Sequence, residues 1–124
     1  MKKIVIVADD DYGMQRFIKF LLAEELHIPE EQIIVCDNGT TAWKLIVQNA
    51  LNTALVITDY EMPGLTGIQL AEKIKENYPN IIVLLNSGAE DVPEHKADIF
   101  LKKPWNANHF INIAAEKIQP LQYI

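Results

Sequence analysis

The run Leu55-Val56-Ile57-Thr58-Asp59-Tyr60-Glu61-Met62-Pro63-Gly64 constrains this chain more than any other stretch. Aliphatic and β-branched residues lead straight into an acid, and a Pro-Gly pair turns the chain within five positions of it. Continuous rather than alternating hydrophobicity marks a strand buried on both faces. Asp59 therefore stands at the carboxyl end of a buried strand. In open α/β sheets that rim is where ligands bind.

The pattern recurs along the chain. Ile4 to Val7 is a second buried strand, running through Ala8 into Asp9, Asp10 and Asp11; Ile33–Cys36, Ile81–Leu85 and Ile99–Leu101 are three more. Between them the apolar period is helical. From Tyr12, Met14, Phe17, Ile18, Leu21 and Leu22 share one face, Phe20 falls outside it, and Pro29 marks the helix as finished. After the turn residues Asp37-Asn38-Gly39, Thr40 is expected to cap a helix to about Ala50 with Ala42, Leu45 and Ile46 inward. Thr66 caps a third helix carrying Leu70, Ala71, Ile74 and Tyr78, stopped at Pro79-Asn80. Asn106 caps the last, with Phe110, Ile113, Ala114 and Ile118 on one side and Pro120 at its end.

Alternating strands and helices imply an α/β fold, a parallel sheet with helices on both faces. Right-handed crossovers bring every strand's carboxyl end to one edge. Asp9, Asp10, Asp59, Ser87 and Lys103 should converge there.

The chain's 124 residues suit a single domain with one sheet between two layers. No apolar run approaches the roughly 18 residues that cross a bilayer. Met1-Lys2-Lys3 has the basic opening of a signal peptide but neither its apolar length nor its cleavage site, so a cytoplasmic location and no membrane partner are expected. A formal charge of −6 argues against nucleic acid. The single cysteine, Cys36, reads as a buried structural thiol. His27, His95 and His109 are far from other ligand types at metal spacing, and Trp43 and Trp105 read as packing residues.

Taken singly, the edge residues have ordinary explanations. Strand-end acids cap helices, paired lysines are usually solvated, and Ser before Gly is a turn residue. Their joint placement on one edge is what those explanations leave out. Three crowded carboxylates would repel, raising at least one pKa, unless a divalent cation relieves the conflict. All-oxygen ligation with few carboxylates suits magnesium. Lys103 and Ser87 can hold phosphate oxygens, Gly88 leaves room for them, and Asp59 can act as a nucleophile toward phosphorus.

With these residues in view the chain resembles the receiver domain of bacterial response regulators. The resemblance rests on Ile4-Val5-Ile6-Val7-Ala8-Asp9-Asp10-Asp11 with Met14, on Val56 to Gly67, on Ser87-Gly88, and on Ala97 to Trp105. It implies a receiver domain over residues 1–124 with a flavodoxin-like, five-stranded sheet in the order 2-1-3-4-5. It further implies that Asp59 accepts a phosphoryl group from a sensor histidine kinase or phosphotransfer protein. Asp10 is then similar to a direct magnesium ligand and Asp9 to one acting through water, with Asp59 in the same set and Glu61 giving its backbone carbonyl. Ser87 matches the hydroxyl that bonds the phosphoryl group, Lys103 its counter-charge, and Phe100 the aromatic that swings inward as the hydroxyl moves. A cis bond before Pro104 is also expected.

One region departs from the family pattern. Only fifteen residues separate Ser87 from Lys103, and Pro93 interrupts them, so the fourth helix of the family is expected as a stub or a loop. The resulting expectation is a switch that binds an unidentified downstream protein when phosphorylated, with no output domain and no enzymatic role. Two alternatives are a receiver-like interaction module that works without phosphorylation, and a phosphoaspartate phosphatase of the haloacid-dehalogenase type with Glu61 as general acid. The chain is too short for the substrate cap of the latter.

Overall fold

The computed structural model describes residues 2–118. Met1 of the basic opening and Pro120, expected to end the last helix, lie outside the described residues. Five strands, β1 (Ile4–Ala8), β2 (Ile33–Cys36), β3 (Thr53–Asp59), β4 (Ile82–Ser87) and β5 (Ile99–Lys102), form one parallel sheet ordered β2-β1-β3-β4-β5. Among the described residues four α-helices flank it: α1 (Tyr12–Phe20), α2 (Gly39–Gln48), α3 (Gly67–Asn77) and α4 (Ala107–Ile118). No helix among the described residues is long and apolar enough to cross a membrane.

The unbroken apolar run of β3 serves two cores at once. Leu55 and Ile57 face α1 and α4 together with Val5, Val7 and Leu84, while Val56 faces α2 and α3 together with Ile4, Ile6 and Val83. All of these except Ile4 and Val5 are essentially inaccessible to water. Fully burying one such side chain contributes about 1.5–3 kcal/mol, so a strand apolar on both faces belongs in the middle of the sheet. The acids at its end are thereby held on a rigid base.

Helix starts follow side-chain capping. The Asp11 carboxylate accepts from Met14 N–H at 3.2 Å, and Thr66 and Gln69 form a reciprocal capping box. Asn106 caps α4, accepting from Asn108 N–H at 2.7 Å. Thr40 does not cap α2. Asn38 does, accepting from Thr41 N–H at 2.7 Å, because the helix already begins at Gly39. Only a residue without a Cβ fits there: one would overlap the Leu65 carbonyl oxygen.

Two further departures concern the first helix. Phe17, expected inward, is 42% exposed and stacks on Trp105, which in turn stacks on Phe110. It lies at the margin of the apolar stripe, where the partner is a loop ring rather than the sheet. After α1 the chain runs directly into a π-helical turn, Leu21–Glu25, and His27 takes a left-handed backbone (φ 57°) before Pro29. Phe20 is exposed and Cys36 buried, as expected, and burial pushes the Cys36 thiol up to about 11.

Between β4 and β5 the chain forms no helix; Gly88–Asp98 is a loop. Asp98 moors its far end. One carboxylate oxygen accepts from Val83 N–H at 2.8 Å and from Lys75 Nζ at 2.9 Å, and Lys75 Nζ also reaches the Pro79 and Ile81 carbonyls. Val83 is fully buried, so its N–H has no solvent to fall back on. Asp98→Ala is expected to lower the unfolding free energy by about 1–3 kcal/mol in a urea titration. No change would mean that water reaches the Val83 amide.

Candidate functional site

β1 connects outward to β2 on one side while β3 lies on its other, so the crevice at their carboxyl ends is the sheet's topological switch point. Asp9 follows β1 and Asp59 ends β3. Asp9, Asp10 and Asp59 each place a carboxylate oxygen within 4.8 Å of the others. Lys103, just past β5, reaches across to them, its Nζ 3.1 Å from Asp59 Oδ1 and 3.4 Å from Asp9 Oδ2. Its backbone N–H continues the ladder to the Ser87 carbonyl at 2.8 Å, and the Lys103–Pro104 bond is cis.

The acids are not equivalent. Asp9 is 1% exposed, with Oδ1 accepting from Asp11 N–H at 2.9 Å, whereas Asp10 is open to solvent. Burial raises the Asp9 carboxyl above the usual carboxylate range, although the Asp11 amide and Lys103 pull the other way and the charge of Asp59 adds to the rise. The direction is that expected of crowded acids, but burial rather than repulsion is its main cause. Burial pulls the Lys103 ammonium down, yet its hydrogen bond to Asp59 and the charges of Asp9 and Asp59 outweigh that and raise it.

A carboxyl whose folded pKa lies above its unfolded value weakens the fold once it ionises. That penalty is absent below about 4, where both states hold the proton, and complete above the raised folded value. In magnesium-free buffer at neutral pH, Asp9→Asn is therefore expected to raise the melting midpoint by about 3–5 °C, on the order of 1 kcal/mol. The gain should shrink as pH falls toward 4. A lowered midpoint would show that the Asp9–Lys103 contact outweighs burial.

Three carboxylate oxygens against one ammonium make a hard, anionic cradle suited to a divalent cation with oxygen ligands. Ser87 is 2% exposed at the end of β4, its hydroxyl accepting from Ala89 N–H at 3.0 Å. The Glu61 side chain points to solvent from the bend after β3. Phe100 is not at the acids: it is 36% exposed, with its ring 5.7 Å from that of His95 in the loop before β5.

Two residues at this edge have no place in the sequence reading. Gln15 Nε2 donates to the Asp9 carbonyl at 2.6 Å, tying α1 to the end of β1. Its position on the polar side of the helix gave no signal. Asn86, the residue before Ser87, is fully buried, and neither amide atom is paired among the described residues. An amide closing an aliphatic run reads as the start of a turn, which concealed it.

Fold and site together define a doubly wound α/β protein of flavodoxin-like topology with an acidic, lysine-bridged carboxyl edge. Residues 5–115 match the model of the response regulator receiver domain, and the chain belongs to that family. Histidine kinase P4 of Formosa agariphila is 32% identical over 117 residues, covering 88% of this chain and 8% of that protein. The transcriptional regulatory protein SrrA of Staphylococcus aureus is 27% identical over 116 residues, 90% of this chain and 46% of that protein. Among solved structures, the receiver domain of the Francisella response regulator 1452 is 27% identical with a TM-score of 0.82, covering 97% of this chain and 99% of that one. The chain spans less than half the length of the curated relatives it matches.

Proposed function

We propose that this receiver domain is a phosphorylation switch whose acceptor is Asp59, charged by a histidine kinase or phosphotransfer protein in the cytoplasm. The observation that carries this reading is the 3.1 Å contact between Lys103 Nζ and Asp59 Oδ1 beside two further carboxylates. In the transfer an Asp59 carboxylate oxygen attacks phosphorus, and the phosphorus–nitrogen bond to the donor's histidine breaks. The leaving imidazole keeps the electron pair and takes up a proton. Lys103 meets the charge on the phosphoryl oxygens, and the Ser87 hydroxyl turns from the Ala89 amide to bond one of them.

Asp9, Asp10, Asp59 and the Glu61 carbonyl are the groups that would hold magnesium. Bound there, it supplies positive charge that relieves the crowding of the acids and offsets the charge of an incoming phosphoryl group. In this reading the output is altered affinity for a downstream protein, through movement of Ser87 and Phe100, rather than turnover of a substrate. The net charge of −6 supports a protein rather than a nucleic-acid partner.

Intact mass after incubation with acetyl phosphate tests the reading. One added phosphoryl group is expected with magnesium and none without it; no uptake by folded, magnesium-bound protein would overturn the assignment. Ser87→Ala is expected to keep part of the uptake but to lose the change in partner affinity. Equal affinity shifts in the variant and the wild type would remove Ser87 from the switch.

A further inference from the structure

We propose that Asn86 is a positioning residue for the Asp59–Lys103 pair, its amide reserved for hydrogen bonds made when Asp59 carries a phosphoryl group. The inference rests on the phosphoacceptor reading above. It starts from an anomaly: Asn86 is 0% exposed, and among the described residues neither Oδ1 nor Nδ2 has a hydrogen-bond partner. Buried amides are seldom left unpaired, because they lose their bonds to water and gain nothing in return. Asparagine is also a poor strand former, and the preceding residues, Val83-Leu84-Leu85, are all aliphatic. An aliphatic residue at position 86 would serve the core better.

The register gives the amide a purpose. Asn86 pairs with Asp59 on one side and Leu101 on the other. Strand alternation puts its side chain on the face of Leu84, shared by Ile57 and Leu101. Two residues beyond Ile57 comes Asp59, and two beyond Leu101 comes Lys103. The Lys103–Asp59 contact therefore runs diagonally across the carboxyl end of β4, where Asn86 lies, from an edge strand to the centre of the sheet.

Lys103 carries three N–H donors and directs two of them at Asp59 and Asp9. In the proposed phosphorylated state the third turns to Asn86 Oδ1, which is unpaired among the described residues. Phosphorylation turns the Asp59 carboxylate into an acyl phosphate, with one oxygen bonded to phosphorus and the other left as a carbonyl, a fitting acceptor for Asn86 Nδ2. Held from below in this way, the ammonium keeps its remaining protons on the phosphoryl oxygens. Asn86 makes no contact with the donor and acts through Lys103 and Asp59.

The test compares Asn86→Val and Asn86→Thr, which differ by a methyl against a hydroxyl. Phosphorylation rate is followed by intact mass with acetyl phosphate and magnesium, magnesium affinity by calorimetry and stability by thermal melting. Asn86→Val is expected to melt above the wild type, bind magnesium equally and take up phosphoryl about tenfold more slowly. Asn86→Thr should recover part of the rate. A structural asparagine could not combine higher stability with a slower reaction. Unchanged rate in Asn86→Val, or slower reaction accompanied by a lower midpoint, overturns the proposal. Should Asn86→Val fail to fold, Asn86→Ala, which cannot overpack the site, is held to the same criteria for rate and magnesium affinity. No uptake by the wild type would overturn the phosphoacceptor reading itself, whereas normal wild-type uptake with an equally fast variant overturns only the role of Asn86.

Discussion

Asp59→Asn is expected to fold normally and to take up phosphoryl groups more slowly by a factor on the order of a thousand or more. The two side chains have the same shape, and the amide oxygen can still accept from Lys103 Nζ, so packing at the end of β3 is preserved. What disappears is the anionic oxygen proposed to attack phosphorus. Removing one of three crowded charges also relieves the repulsion that Asp59 exerts on Asp9, so the melting midpoint should hold or rise. Intact mass and a thermal melt of the same preparation decide the matter. Full uptake in a folded variant would place the acceptor elsewhere.

Gly67→Ala is expected to lose about 3 kcal/mol of stability, a fall in melting midpoint of roughly 10 °C. Gly67 opens α3, and its N–H donates to the Tyr60 carbonyl at 2.8 Å. A Cβ there would overlap the Asp59 carbonyl oxygen and come 2.7 Å from Leu85 Cδ1. The leucine can turn aside, but the strand backbone cannot. Helix α3 must therefore retreat from the sheet, and the residue it presses on is the proposed phosphoacceptor. Uptake of phosphoryl should fall along with stability. A midpoint within about 2 °C of the wild type would show that α3 has room to move.

The elements that sequence made legible are those with one-dimensional causes. A strand buried on both faces is an unbroken aliphatic run, and a strand-end acid on a parallel sheet can only lie on the carboxyl edge. That rule alone puts Asp9, Asp10, Asp59, Ser87 and Lys103 on one edge, where the structure clusters the three acids with Lys103 and ends β4 at Ser87. Glu61 and Phe100 came from the resemblance alone, since nothing in their spacing implied a role. Asn38 displaced Thr40 as a cap because of a close approach between Gly39 and Leu65, residues distant in sequence. Phe17 was misplaced because helical period identifies a stripe but not which of its margins the sheet covers. The π-helical turn after α1 left no periodic trace over five residues. Asn86 escaped because the absence of a partner is a property of three dimensions.

The loop between β4 and β5 has a consequence for local opening. An amphipathic helix in that crossover would cover the Phe100 face of β5, whereas here Phe100 meets a histidine ring and the loop is moored at Asp98. As an edge strand with Phe100 and Lys102 exposed, β5 can detach at a free energy below that of global unfolding. Lys103 directly follows it, so each such excursion withdraws the counter-charge from Asp59 while β1 and β3 stay intact. In the proposed switch, the fraction of molecules with Lys103 against Asp59 is then set by a fraying equilibrium at one edge. Amide exchange at Phe100 and Leu101, measured against Val56 and Ile57, reads that fraction directly.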